Sequence, residues 1–288
     1  MAYPYIASDL DGTIVKNEDF KILDETIADI LNYQEKSGSK FFIVTGRLFE
    51  TSKLYINQLH VTLPIIGANG AVIIDPITQK VLYQSIIEKD ICEKIFDFAL
   101  ANNLDLIYYS AKALIGLETS ERINYYKEAY KDLERNLQPN CEIYPDFEQF
   151  KMSAMNEIHK PFKFLFSFPT TGSESLVEKT TKFLNDLKLN CPITHMNERI
   201  FVDAMNNNVN KATGLEKWAE IMNVELDEIH PIGDNNNDYE MVAQFKNGCV
   251  VANGVEKTKQ VASKILEDIY SNGVGKYLQT LSHPQNDD

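Results

Sequence analysis

A chain of 288 residues with 44% hydrophobic content can bury a sizeable core and is long for one compact unit, so two domains are expected. A formal net charge of −14 leaves no surplus of lysine and arginine to neutralise phosphate backbones or anionic headgroups, which excludes nucleic-acid and membrane-surface partners, although phosphate can still be held locally through a metal. The opening "MAYPYIAS" lacks a basic leader, no run of about eighteen apolar residues occurs, and Cys92, Cys141, Cys191 and Cys249 form no C-x-x-C pair, so the chain reads as cytosolic with reduced thiols.

From the amino terminus to about Val81, short apolar runs alternate with amphipathic segments. "PYIAS" predicts a strand, "ILDETIADILNYQEKSG" a helix, "KFFIVTG" a strand, "FETSKLYINQL" a helix and "LPIIGANGAVII" a strand and turn. Such βαβαβ alternation favours a parallel sheet covered on both faces, with its strand ends gathered on one edge where ligands bind.

The middle has another texture. "KDICEKIFDFALANN", "ERINYYKEAYKDLERNL" and "SESLVEKTTKFLNDLK" predict helices, while "LDLIYYS" and "FKFLFSF" predict strands that pair antiparallel. The first rhythm then returns in "RIFVDAM", "TGLEKWAEIM", "IHPIG", "DYEMVAQF" and "NGCVVAN", with a last helix over "EKTKQVASKILE" and a frayed tail at "HPQNDD". The simplest account is an α/β fold, a Rossmann-like parallel-sheet core over residues 1–83 and 196–288, interrupted by an inserted α+β domain over residues 84–195.

Four segments could carry chemistry. In "YIASDLDGT", Asp9 closes the first strand and Asp11 lies in the turn, with Gly12 giving backbone freedom and Thr13 a hydroxyl; the plain alternative is a capped turn. In "GDNNNDYE", Asp234 again ends a strand, and Asn237 and Asp238 follow one helical turn on. Two carboxylates from neighbouring strands, with carbonyls and waters, suit Mg2+. A calcium loop fails here, because its sixth position is Tyr239 and its twelfth Phe245. "IVTGR" puts the Thr45 hydroxyl and Gly46 amide at a strand-to-helix junction, where a phosphate oxygen can be held. Lys211, before an amphipathic helix, reads by itself as a solvated surface charge.

Taken in this order, the four segments resemble the haloacid dehalogenase superfamily of phosphoryl-transfer enzymes. "DLDGT" is similar to its first motif, "TGR" to its second, Lys211 to its third and "GDNNND" to its fourth. An insert between the second and third motifs, with "GANGAVI" and "NGVGKYL", is similar to the Cof-type branch with its large α/β cap. Two departures stand out: Ala212 follows Lys211 where the branch has glycine, and "VVANGVE" lacks the methionine often found near its asparagine.

The resemblance implies a phosphatase of small phosphorylated metabolites, such as sugar phosphates. Asp9 would be the nucleophile that forms an aspartyl-phosphate, and Asp11 the general acid and base, protonated before transfer begins. Mg2+ would bind Asp9, the main-chain carbonyl of Asp11, and Asp234, with Asp238 orienting the shell. Lys211, the Thr45 hydroxyl, the amides of Leu10, Gly12 and Gly46 and the Asn237 side chain would surround the phosphate oxygens. The cap would cover the site, with Tyr108, Tyr109, Tyr125, Tyr126, Arg122, His159, Lys160, His195 and Arg199 as candidate leaving-group contacts, though "FKFLFSF" and most of these residues read equally as cap core or solvated face. Phosphoryl transfer to a second substrate, a phospho-aspartate signalling module and a catalytically silent binding protein are the alternatives. Nothing in the chain specifies an oligomeric state.

Overall fold

A computed structural model describes residues 3–156, 159–196 and 198–282, and the elements counted below are those among them. The tail "HPQNDD" lies outside the described residues. Two compact units form, one from Met1–Tyr83 with Asn210–Asp288 and one from Gln84–Val209.

In chain order the first unit begins with β1 (Tyr5–Ser8), α1 (Asp24–Ser37), β2 (Phe41–Ile43), α2 (Phe49–Gln58), β3 (Ile65–Gly67), β4 (Val72–Ile74) and β5 (Val81–Gln84). The second unit holds α3 (Lys89–Ala101), β6 (Asp105–Tyr109), β7 (Leu114–Leu117), α4 (Glu121–Ala129), β8 (Cys141–Tyr144), α5 (Phe147–Ala154), β9 (Lys163–Pro169), α6 (Glu174–Asp186), β10 (Leu189–Asn190), β11 (Ile193–Met196) and β12 (Arg199–Asn206). The first unit resumes with α7 (Lys211–Met222), β13 (Ile229–Gly233), α8 (Tyr239–Gln244), β14 (Cys249–Val251), α9 (Glu256–Lys259), β15 (Lys264–Leu266) and α10 (Gly273–Ser282).

The core sheet of the first unit runs β15-β14-β13-β1-β2, with every pairing parallel. Its strands include buried apolar runs such as Ile6–Ala7, Phe41–Ile43 and Val250–Val251, as expected where helices cover both faces. The chain leaves β1 toward β2 on one side, while β13, β14 and β15 extend the sheet on the other. The order therefore reverses at β1 and β13, and the carboxyl ends of these two strands carry Asp9 and Asp234. β3 and β4 form an antiparallel pair beside this sheet, joined to it by a parallel bridge between Val44 and Ile66. Trp218 of α7 stacks on Phe42 with ring centroids 4.0 Å apart and donates its indole N–H to the Pro64 carbonyl at 2.7 Å, which fixes α7 against β2.

One expectation fails in this unit. "EKTKQVASKILE" is not a single helix: α9 ends at Lys259, and Lys264–Leu266 pairs parallel with β14 as the sheet's edge strand. The open edge of β14 offers backbone hydrogen bonds that outweigh a modest helical preference.

The second unit has a seven-stranded sheet, β10-β12-β9-β6-β7-β8 with β11 also paired to β12, antiparallel except between β7 and β8. Phe96, Tyr108, Phe150, Phe164, Phe166 and Phe168 meet in one buried cluster, so the alternating aromatics of "FKFLFSF" are core of this unit. "RIFVDAM" does not open the return to the first unit. As β12 it pairs with β9 from Arg199↔Pro169 to Ala204↔Phe164 and buries Ile200, Val202 and Ala204, so this unit extends to Val209 and not to residue 195. The charged helix is also shorter than expected, ending at Ala129.

Candidate active site

The loop after β1 is tied down from several directions. The Leu10 carbonyl accepts the amides of Thr13, Ile14 and Val15, and the Gly12 amide donates to the Val15 carbonyl at 2.9 Å. The Gly12 amide is thus already spent inside the loop, which corrects its expected place among the phosphate donors. Gly12 matters for space instead. Its φ is +81°, and a Cβ there would stand 2.3 Å from Asp234 Oδ2, so only glycine lets the two loops approach this closely. Thr13 completes the contact by donating its hydroxyl to Asp234 Oδ1 at 3.0 Å.

Lys211 is fully buried, contrary to its reading as a lone surface charge. The Asn210 side chain caps α7 by accepting the Thr213 amide, and Thr213 accepts the Asn210 amide in return, which places Lys211 in the first turn. Its ammonium lies 2.7 Å from Asp9 Oδ1 and 2.5 Å from Asp238 Oδ1. The other oxygen of Asp238 accepts the amides of Asp234 and Asn235, both at 2.9 Å. Asp238 therefore has both oxygens committed, and clamps the lysine to the loop after β13.

Charge in this pocket is out of balance. Burial holds the Asp9 carboxyl well above the usual range; Lys211 opposes the shift, while Asp238, Asp234 and Asp11 add to it. Burial likewise pushes Asp234 up to about 7, with Asp238 reinforcing it and the Thr13 hydrogen bond and Lys211 pulling the other way. For Lys211, burial acts downward, yet Asp238 and Asp9 outweigh it and the ammonium stays charged.

These observations test whether a divalent cation suits the residues present. Asp9, Asp234 and Asp238 offer carboxylate oxygens within 4.8 Å of one another, all buried, against the ammonium of Lys211. With all three carboxylates ionised the group would carry two negative charges in a desolvated site, which protons relieve in part and a doubly charged hard cation would balance with oxygen ligands. With Asp238 committed elsewhere, the residues that would hold the ion are Asp9 and Asp234.

At the end of β2, the Thr45 hydroxyl accepts the Arg47 amide at 3.1 Å and keeps its own proton to donate. Arg47 grips Asp11 with two prongs, Nε to Oδ2 at 2.7 Å and Nη2 to Oδ1 at 2.6 Å, and its guanidinium lies over the Tyr55 ring at 5.1 Å. Asp11, expected to hold a proton for a leaving group, is here an acceptor on both oxygens. To donate a proton it must leave Arg47.

Asn237 donates to Asn69 Oδ1 at 3.0 Å, and the same oxygen would stand 3.0 Å from a Cβ at Gly46. Ala68 and Asn69 both have left-handed backbone, φ +49° and +54°, held by amide bonds to the carbonyls of Arg47 and Thr45. The segments carrying Asp9, Asp11, Thr45, Gly46, Lys211, Asp234, Asn237 and Asp238 thus meet at one edge of the sheet. Sequence reasoning assigned no role to Arg47, Asn69 or Asn253. Glycine-flanked asparagine in "GANGA" and "VANGV" was the available signal for the last two.

The candidates in the second unit have local partners. Tyr108 is core and bonds Ser153 at 2.6 Å, His159 pairs with Glu142 at 2.9 Å, and Arg199 with Glu121 at 2.8 Å. Arg122 lies over the rings of Tyr125, Tyr126 and Phe201, Tyr109 is buried, and His195 is exposed.

Residues 6–278 match the family model of haloacid dehalogenase-like hydrolases. A Bacillus subtilis relative, 5-amino-6-(5-phospho-D-ribitylamino)uracil phosphatase YitU, is 25% identical over 291 residues, covering 96% of this chain and 97% of that protein. A haloacid dehalogenase-like hydrolase from Bacteroides thetaiotaomicron superposes with a TM-score of 0.79 at 20% identity, over 97% of this chain and 99% of the other. The HAD subclass IIB sugar phosphatase BT4131 does so with a TM-score of 0.70 at 21% identity, over 95% and 97%. The chain belongs to the haloacid dehalogenase-like hydrolases, an enzyme family, as the motifs of its sequence led one to expect.

Proposed function

We propose that this hydrolase is a Mg2+-dependent phosphatase that cleaves small phosphomonoesters, sugar or polyol phosphates in particular, through an aspartyl-phosphate on Asp9. The observation that carries the reading is the buried cluster of Asp9, Asp234 and Asp238 around Lys211. A phosphate ester needs a nucleophile, cationic neutralisation and hydroxyl or amide donors within one desolvated pocket, and this edge of the sheet supplies them. The substrate class draws support from the relatives, since one is named for a phosphorylated ribityl compound and another as a sugar phosphatase. Cytosolic residence goes with this reading.

In the first step an Asp9 oxygen attacks phosphorus and the ester P–O bond breaks, its electron pair going to the leaving oxygen, which takes a proton from Asp11. In the second, water attacks phosphorus, gives a proton to Asp11, and the bond to Asp9 breaks to release inorganic phosphate. Asp11 carries the proton in both directions, so it must exchange its grip on Arg47 for the substrate. Lys211, the Thr45 hydroxyl, the Leu10 and Gly46 amides and the Asn237 side chain bind the non-bridging oxygens of the phosphoryl group. Asp9, Asp234 and the Asp11 carbonyl would hold Mg2+, which when bound would neutralise the negative charge of the nucleophile and the phosphate. A panel of phosphorylated sugars, polyols and nucleotides, assayed for phosphate release with and without Mg2+, tests the reading. Release from at least one sugar or polyol phosphate that requires both Mg2+ and Asp9 is expected; an Asp9→Asn variant that kept wild-type turnover would refute it.

A further inference from the structure

The strand β14 ends at Val251, and the turn that follows lies on the same carboxyl edge of the sheet as Asp9 and Asp234. This turn holds both acidic loops. Asn253 Nδ2 donates to the Gly12 carbonyl at 2.7 Å, and Asn253 Oδ1 accepts the Ile269 amide at 2.9 Å. Two residues on, the Val255 amide donates to the Asp234 carbonyl at 2.7 Å, and the buried Thr258 hydroxyl donates to the Asn235 carbonyl at 2.9 Å. Gly254 lets the turn come this close, since a Cβ there would stand 2.8 Å from the Asp234 carbonyl oxygen.

Asn253 is itself exposed, so the apolar core does not depend on it. Its amide nitrogen and oxygen stand at fixed spacing, and each bonds the backbone of a different segment. We propose that Asn253 is a positioning residue: it braces the Asp9 loop against the turn that holds Asp234, and so sets the spacing of the two carboxylates that would take the cation. The inference rests on the Mg2+ reading above. Alanine would release the Gly12 carbonyl and the Ile269 amide together. Aspartate would keep the size and the acceptor but turn an oxygen toward the Gly12 carbonyl, where a donor is required.

The test is Mg2+-dependent thermal unfolding of the full chain, wild type against Asn253→Ala and Asn253→Asp, with Tyr33→Phe as comparison. Tyr33 gives its hydroxyl to the Pro4 carbonyl at 2.6 Å, away from the acidic edge, so its loss removes a backbone bond without touching the brace. Both Asn253 variants are expected to need about tenfold more Mg2+ or above for the half-maximal rise in Tm, the scale on which residues supporting metal ligands act. At saturating Mg2+ their KM for p-nitrophenyl phosphate stays near the wild-type value. Tyr33→Phe lowers Tm and leaves the Mg2+ midpoint unchanged. Wild-type Mg2+ midpoints in both Asn253 variants overturn the brace and leave the phosphatase reading standing. Absence of any Mg2+ effect on the wild-type Tm overturns the cofactor reading, and this role with it.

Discussion

Replacing Lys211 by methionine keeps most of the side-chain volume and removes the ammonium that pairs with Asp9 and Asp238. The lysine is fully buried, with contacts of 2.7 and 2.5 Å, so the loss strands carboxylates that cannot turn to water. Removing one partner of a buried ion pair costs about 3–5 kcal/mol. At about 2–4 °C per kcal/mol for a unit of this size, the metal-free variant should melt roughly 10 °C below wild type. The penalty has a definite pH sign. Burial already holds Asp9 and Asp234 above the usual carboxylate range, and losing Lys211 lifts both further. A carboxyl raised in the folded state keeps a proton that the unfolded chain has released, so stability falls as pH climbs from about 4 through the folded value. The gap between Lys211→Met and wild type should therefore be widest near pH 8 and narrow toward pH 5, where protonation neutralises Asp9 and Asp234. Urea unfolding at the two pH values, with chelator present, measures it. A loss below about 1 kcal/mol, or an equal loss at both pH values, would refute the charge-balance argument on which the metal site rests.

Gly12→Ala should destabilise the first unit by about 2 kcal/mol or more, because the added methyl meets Asp234 Oδ2 in a left-handed backbone conformation. Calorimetry would show this, and a wild-type Tm would mean that the two loops are not held as close as described. Asp11→Asn should slow the first step, release of the alcohol in a single turnover, about 100-fold or more for alkyl phosphates and far less for p-nitrophenyl phosphate, since that leaving group departs without a proton, while the second step slows alike for both. Equal first-step losses on the two esters would remove Asp11 from the acid role. Arg47→Lys replaces a two-pronged grip by a single point charge; it should change turnover on alkyl phosphates more than on p-nitrophenyl phosphate, and an effect on KM alone would count against the grip on Asp11.

Asp9 and Asp234 were legible in the sequence because each closes an apolar run, and parallel sheets gather such ends on one edge. Lys211 was legible only through its company: one lysine before a helix carries no sign that it will be buried against Asp9 and Asp238. The pairing of Asp11 with Arg47 was hidden, since residues 36 positions apart in sequence are joined by the approach of two loops. Strand identity was easier to read than strand partnership. "RIFVDAM" is apolar and β-branched as a buried strand should be, but nothing in the run says that it pairs with β9 of the inserted unit and not with β1. Lys264–Leu266 looked helical because its neighbours do, and only the free edge of β14 makes it a strand. The Gly12 amide was misassigned for a related reason, since a sequence cannot show that the loop's own Val15 carbonyl has taken it.

The central claim is that Asp9 is phosphorylated during turnover. Acid quenching of the enzyme in steady state with its best phosphomonoester and Mg2+, followed by peptide mass spectrometry, tests this directly. The account predicts phosphate on the peptide containing Asp9, lost when the substrate is exhausted before the quench and absent from Asp9→Asn. Phosphate on another residue, or full turnover by Asp9→Asn with no phosphorylated peptide, would contradict it.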